Sequence, residues 1–270
     1  MPELPEVETT CLGLLPRLRG RILQDITVRN PRLRWPVPED LSDRITGKLL
    51  FNLYRRGKYL LFDFGDITQI VHLGMSGSLR FVDSDEPAGV HDHIDWHFGD
   101  KLILRLRDPR RFGAVLWTAD PAHHPLLALL GLEPLTPEFN ADYLYAQCRK
   151  RGAAIKQVIM DAHVVVGVGN IYASESLFHA GIRPGTAARR LTRPACERLV
   201  AAIKHVLKAA IASGGSSLRD YVQTSGELGY FQLHTQVYDR AGQPCKVCGA
   251  PIRRIVQGQR ASYYCPHCQR

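Results

Sequence analysis

Residues 245–268 read Cys245-Lys-Val-Cys-Gly-Ala-Pro-Ile-Arg-Arg-Ile-Val-Gln-Gly-Gln-Arg-Ala-Ser-Tyr-Tyr-Cys-Pro-His-Cys268. Two CxxC pairs, Cys245/Cys248 and Cys265/Cys268, are separated by 16 residues. Two such knuckles bring four thiolates to one tetrahedral ion, the pattern of a zinc ribbon or finger. Gly249 follows the first pair, where a metal knuckle turns tightly. Cytosolic thiols stay reduced, so ligation is expected here in place of disulfides. Four sulfurs fill the site, which leaves His267 a bystander and gives the zinc a structural role. No other cofactor is expected. Tip residues of a hairpin finger point away from the metal, so Arg260 is presented to a partner or is an ordinary exposed arginine.

Upstream of the zinc module (237–270), residues 214–236 hold Gly, Ser and Thr with few aliphatics and read as a mobile loop. Residues 133–213 carry helical patterns at 140–151, 154–161, 171–180 and 193–213. Thr192-Arg-Pro-Ala suits an N-cap with proline in the first turn, and Gly214-Gly215 closes that helix. Residues 1–132 are mainly β. Short β-branched or aromatic runs at 22–28, 48–53, 59–64, 68–73, 79–82, 102–106 and 114–118 lie between Gly, Asp or Pro. Seven such runs predict a sandwich or barrel. Ahead of them, Leu4, Val7, Cys11, Leu14 and Leu15 recur at helical spacing, with Pro16 at or near that helix's end. The fold class is α+β.

The chain has 270 residues, with 35 Lys+Arg against 26 Asp+Glu, a net charge of +9. Residues 1–134 carry a net −1 and residues 135–270 a net +10. A basic half points to a polyanion, most simply a nucleic acid. No apolar run approaches the ~20 residues of a membrane span. The acidic start, Met1-Pro2-Glu3-Leu4-Pro5-Glu6, is unlike a signal peptide, so a cytoplasmic protein is expected.

Several segments can carry chemistry. Removal of Met1 leaves Pro2 with a free secondary amine. An α-amino group has a pKa near ~7.7–8.0, so a useful fraction is neutral. If Pro2 begins a helix, the dipole lowers that pKa further. A neutral amine can attack an aldehyde-like carbon, and Glu3 and Glu6 lie within a turn to move protons. Met75 lies between glycines in His72-Leu-Gly-Met-Ser-Gly77, and Arg110 and Phe112 lie in Asp108-Pro-Arg-Arg-Phe-Gly113. Met75 and Phe112 either project as wedges for a base stack or fold back into the core. Lys58, in the basic turn Tyr54-Arg-Arg-Gly-Lys-Tyr59, either binds phosphate or is solvated. His91, His93, Asp95 and His97 fall on one strand face, read as a polar outward face with a metal site as the alternative. Gly167-Val-Gly-Asn170 joins two helices. Its N–H groups suit a phosphate, and Asn170 caps the second helix, bonds the phosphate, or both.

Taken together, Pro2-Glu-Leu-Pro-Glu-Val-Glu8, the motifs at 72–77 and 108–113, Val168-Gly-Asn-Ile-Tyr-Ala173 and the finger with Gln259-Arg-Ala261 closely resemble bacterial formamidopyrimidine-DNA glycosylase. The resemblance runs the full length in order. It implies an N-terminal β-sandwich, a helix-two-turn-helix domain (133–213), a flexible lesion loop (214–236) and a four-cysteine zinc finger. It implies a glycosylase and abasic-site lyase that removes oxidised purines through a Schiff base on Pro2. Glu3 assists base loss and ring opening, and Lys58 and Arg260 match residues assigned to the β- and δ-eliminations. Met75, Arg110 and Phe112 fill the stack and read the cytosine opposite the lesion, while His91, Arg151, Lys156 and Asn170 match DNA contacts. The implied partner is duplex DNA, met by a monomer. After Met160-Asp161, Ala162-His163 departs from the family's usual amide. Without the resemblance, a zinc-containing DNA binder that does not cut explains the charge and the cysteines equally well.

Overall fold

In the computed structural model, residues 2–99, 101–215 and 235–270 are described. The chain divides into two compact units. Among described residues, the first takes 2–128 and 213–215, and the second takes 129–212 and 235–270. The lesion loop expected at 214–236 falls mostly outside the described residues.

Helix α1 (Leu4–Leu18) opens the first unit. Its Val7, Cys11, Leu14 and Leu18 recur every three or four residues and are at most 5% exposed. Pro5 lies in the first turn, where its missing N–H costs nothing, and Pro16 lies in the last. Two antiparallel four-stranded sheets follow. One orders β1 (Asp25–Val28), β6 (Asp92–His97), β7 (Ile103–Arg107) and β5 (Ser78–Val82). The other orders β2 (Asn52–Arg56), β3 (Tyr59–Asp63), β4 (Thr68–His72) and β8 (Ala114–Thr118). Leu53, Leu60, Phe62, Val71 and Val115 of the second sheet join Leu79, Ile94, Trp96, Leu104 and Leu106 of the first in one core with α1. Phe62 and Trp96 stack there at 6.4 Å between centroids. Each such buried side chain contributes about 1.5–3 kcal/mol of transfer free energy.

Three local expectations shift. The expected strand 48–53 forms at Asn52–Arg56, because the tight turn at Gly57-Lys58 pairs Arg56 with Tyr59, leaving Leu49 an isolated bridge to Ile22. A short helix, α2 (Leu41–Ile45), was not expected. The outward polar face at 91–97 is instead largely closed: His93 is 3% and Asp95 1% exposed. Arg105 folds over it, with Nε and Nη2 donating to the two Asp95 oxygens at 2.8 and 2.9 Å, and Arg29 adds a third bond at 2.6 Å. Burial alone would raise the Asp95 pKa, but these arginines bring it below the usual carboxylate value.

The second unit holds α3 (Ala141–Arg149), α4 (Ile155–Ile159), α5 (Asn170–His179) and α6 (Arg193–Ala212). Asn140 caps α3 by accepting the Tyr143 N–H at 3.0 Å. At α6, Thr192 Oγ1 accepts the Ala195 N–H at 3.3 Å, as the sequence suggests. Cys196, Leu199, Ile203, Val206, Leu207 and Ala210 form the buried stripe of α6. The unit ends in the hairpin β9 (Arg253–Gln257) and β10 (Arg260–Tyr264), which carries the second cysteine pair at its foot. Among described residues, no helix is long and apolar enough to cross a membrane.

Candidate active site and nucleic-acid interface

The N-terminal segment is held by its own carboxylates. Glu3, not Pro2, is the N-cap, so Pro2 lies just outside α1 instead of beginning it. The Glu3 N–H donates to Glu6 Oε2 at 2.8 Å, while the Glu3 side chain accepts from the Glu6 N–H. This reciprocal capping box needs acceptors at both positions. Pro2 is buried, Glu3 is 3% exposed and Glu6 is fully buried. Gly215, at φ +83°, comes so close to Glu6 that a Cβ there would stand 3.3 Å from its Cγ and Oε1. Pro2, whose nitrogen becomes a secondary amine only when Met1 is removed, thus precedes two buried carboxylates at a helix terminus.

Lys58 occupies the second position of the β2–β3 turn, after Gly57 at φ +57°. Its neighbour Tyr59 packs on His72, with ring centroids 4.9 Å apart. His72 Nδ1 accepts the Gly74 N–H at 3.0 Å, which assigns the ring proton to Nε2. Burial, then the charges of Lys58 and Arg34, lower its pKa to about 4. At neutral pH His72 is therefore an uncharged donor beside two cations. His72 is not among the residues the motif at 72–77 marks by chemistry; its signal in the sequence is a histidine that closes a strand just before a glycine turn.

Met75 is 37% and Phe112 43% exposed, so neither folds into the core. The Arg110 guanidinium lies 4.7 Å from the Phe112 ring centroid, and all three side chains belong to turns that leave the sandwich. His91 precedes β6 and is partly exposed, and its carbonyl accepts the Asp108 N–H at 2.9 Å.

In the second unit, Lys156, Asn170 and Arg260 line one open pocket of about 270 Å³ with Gln157, Met160, Gln257 and Gly258. Arg260 is exposed at the start of β10, after Gly258 and Gln259 at φ +52° and +64°. Positive φ at both central residues is the tight hairpin turn that matches strand twist. Lys156 is 2% exposed. Its ammonium donates to Asn170 Oδ1 and Ser262 Oγ, both at 2.7 Å, and to Ala261 O at 3.1 Å. Asn170 Nδ2 donates to the same Ala261 carbonyl at 3.0 Å. Gly169, not Asn170, is the N-cap of α5, so the Asn170 side chain ties the helix to the finger instead of capping it. Arg151 stands outside this pocket and bonds Gln147 through its backbone and side-chain oxygens.

The four Sγ atoms of Cys245, Cys248, Cys265 and Cys268 lie within 4.8 Å of one another, two pairs being 3.9 and 3.4 Å apart. A zinc ion with bonds of about 2.3 Å holds its sulfurs about 3.8 Å apart, so the donors fit one tetrahedral Zn2+. Burial works against the Cys245 thiolate, but the N–H groups of Cys248 and Val247 outweigh it and the pKa falls to about 7. The second unit supplies one structural zinc site and no open coordination position.

The first unit thus carries a sandwich with a buried carboxylate pair at its N-terminal helix, and the second carries helices, a zinc hairpin and a basic pocket. The match to known proteins is complete in length. Residues 1–115 match the formamidopyrimidine-DNA glycosylase N-terminal domain, 130–222 its H2TH domain, and 242–270 the zinc finger found in FPG and IleRS. A formamidopyrimidine-DNA glycosylase of Thiobacillus denitrificans is 70% identical over 270 residues, covering all of both chains. Among solved structures, MutM (Fpg) from Thermus thermophilus is 37% identical with a TM-score of 0.89, covering 99% of this chain and 98% of that one. The Lactococcus lactis FPG mutant G226P, in complex with a Fapy-dG containing DNA, is 35% identical with a TM-score of 0.92 and full coverage of both. The chain belongs to the formamidopyrimidine-DNA glycosylase family. It is an enzyme of base excision repair, a DNA glycosylase with abasic-site lyase activity.

Proposed function

We propose that this enzyme, which removes oxidised purines from DNA, does so with the Pro2 amine as nucleophile. A base within a duplex is out of reach, so the damaged nucleotide is flipped out. The Pro2 nitrogen lone pair forms a bond to C1′, and the C1′–N9 pair leaves with the base, which takes up a proton. Glu3 protonates O4′ as the sugar ring opens, and loss of the amine proton leaves the iminium. Elimination at C3′ and then C5′ cuts the strand on both sides. The observation that most supports this reading is the buried Glu3–Glu6 capping box directly beside Pro2. It holds a carboxylate next to the proposed nucleophile by reciprocal backbone hydrogen bonds.

Lys58 and neutral His72 of the first unit serve DNA phosphates, and so, separately, does Arg260 of the second. Arginine does not give up its proton at neutral pH, so Arg260 acts in the δ-elimination by holding charge. Met75 and Phe112 fill the vacated stack, and Arg110 bonds the cytosine left opposite 8-oxoguanine. His91, Arg151 and the N–H groups at Asn170 contact the backbone. Lys156 acts by holding Asn170 and the finger, because its three donors are already bonded to protein. The enzyme works as a monomer in the bacterial cytoplasm.

Borohydride trapping on a duplex with 8-oxoguanine opposite cytosine tests the nucleophile. A covalent protein–DNA band from wild type, lost when Met1 is retained, is the expected result. Absence of the band with zinc-loaded, DNA-binding wild type, on this duplex and on one with an oxidised pyrimidine, overturns the lyase mechanism and leaves a binder that does not cut.

A further inference from the structure

The turns carrying Met75 and Arg110–Phe112 lie in separate parts of the sequence, and one fully buried carboxylate joins them. Asp108 follows β7 and is 0% exposed. Its Oδ1 accepts the Ser76 hydroxyl at 2.9 Å, and its Oδ2 accepts the Gly113 N–H at 2.8 Å. Ser76 Oγ in turn accepts the Arg110 N–H at 3.3 Å. The Asp108 carbonyl takes the Arg111 N–H at 3.1 Å and pairs with His93 Nε2 at 2.8 Å. With Nε2 the donor, this bond anchors the second turn to β6.

Glycines close the remaining gap. A Cβ at Gly74 would lie 2.3 Å from the Phe112 carbonyl carbon, and one at Gly113 would lie 2.8 Å from the His72 oxygen and 3.0 Å from Asp108 Oδ2. Backbone therefore packs on backbone, and no side chain separates the turns. The side chains held in this way are exposed and add nothing to the core. A buried carboxyl group is costly unless its oxygens are hydrogen-bonded, and here one oxygen bonds each turn.

We propose that Asp108 and Ser76 are positioning residues that lock Met75, Arg110 and Phe112 into one rigid wedge and thereby set discrimination of the base opposite the lesion. This rests on the wedge role proposed above. A loose wedge lets Arg110 reach an adenine or a cytosine with similar ease. A fixed one offers its donors at a single place, where only the matching base avoids leaving polar groups unpaired.

The test compares kcat/KM for 8-oxoguanine opposite cytosine with that opposite adenine, for wild type, Ser76→Ala, Asp108→Asn, Asp108→Ala and Arg110→Ala. A single-stranded oligonucleotide with an abasic site has no opposite base and serves as control. Ser76→Ala is expected to lower the cytosine-to-adenine ratio about tenfold or more, through the loss of its two hydrogen bonds, to Asp108 and from the Arg110 N–H. Cleavage of the single strand stays at the wild-type level. Asp108→Asn retains an acceptor for Gly113 and a donor for Ser76, so it loses less of the ratio than Asp108→Ala. Should Asp108→Ala fail to fold, Ser76→Ala and Asp108→Asn carry the test. If Arg110→Ala collapses the ratio while Ser76→Ala and Asp108→Asn keep it, the clamp is refuted and the wedge stands. If Arg110→Ala leaves the ratio intact, the wedge reading falls and the proposal with it. Equal losses on duplex and single strand show a merely structural role and also overturn the proposal.

Discussion

Replacing Lys156 by methionine separates two ways in which a lysine near DNA can act. The methionine keeps most of the volume and removes the ammonium. At 2% exposure, that ammonium holds Asn170, Ser262 and Ala261 at 2.7, 2.7 and 3.1 Å. The methionine leaves the Ser262 hydroxyl and the Ala261 carbonyl without this charged donor, a loss of about 1.5–3 kcal/mol. Asn170 is only half-buried and recovers some hydration, so about 2 kcal/mol is expected. For a unit of this size the melting temperature falls by roughly 3–5 °C per kcal/mol, giving a drop of about 6–10 °C. The second readout is the salt dependence of DNA binding. A direct phosphate contact contributes about 0.9 to the slope of log K against log salt. Since the Lys156 donors are spent within the protein, the slope is expected to stay constant while affinity falls. Arg151→Met removes a guanidinium whose bonds to Gln147 leave donors over for DNA, and is expected to lower the slope by about one unit instead. Thermal melting with salt titrations on one duplex provides both numbers. A Lys156→Met protein that melts like wild type and loses about 0.9 of slope refutes the reasoning and makes Lys156 a phosphate ligand.

Three further outcomes follow from the geometry. Gln69 is fully buried on β4 between Phe62 and Trp117, and neither amide atom has a partner among the described residues, so Gln69→Met is expected to gain about 1–2 kcal/mol in urea unfolding; a lower midpoint would contradict this. The His72 pKa is lowered to about 4 from an ordinary 6.5, so between these values the unfolded chain binds the extra proton. Its contribution to stability is therefore present above pH 6.5 and lost as pH falls toward 4; His72→Phe flattens this slope, and an imidazole NMR titration near 6.5 would disprove the assignment. Metal analysis is expected to give one zinc per chain, and stripping it with a chelator should abolish duplex binding; full binding by zinc-free protein would contradict a structural role for the site.

Local chemistry was legible in the sequence. Four cysteines at fixed spacing announce a tetrahedral site, and the apolar stripes of α1 and α6 announce helices, because in each case the partners lie within a few turns or on one face. The strand before Lys58 was misplaced because Ile22–Leu49 and Asn52–Asp63 pairings compete for the same apolar run, and turn geometry decides between them. The burial of Lys156 depends on Ser262, 106 residues away, and that of Asp108 on Ser76, 32 residues away. Neither distance leaves a periodic trace. His93 and Asp95 looked solvated for the same reason, since Arg105 covers them from another strand. Residue chemistry alone marked Pro2, Glu3 and the wedge residues with bland alternatives beside them; the joint motifs gave them roles, and the sandwich brings the 74–76 and 108–113 turns together.

The burial of Pro2 also fixes an order of events in the life of the chain. If Pro2 acts as proposed, Met1 must first be trimmed, and the bond is most open to a peptidase on the nascent chain, before α1 packs on the sheets. A chain that keeps Met1 keeps the Pro2 nitrogen as an amide, whatever the quality of its fold. On the proposed mechanism, two samples with identical melting curves can therefore differ in the fraction of chains able to react.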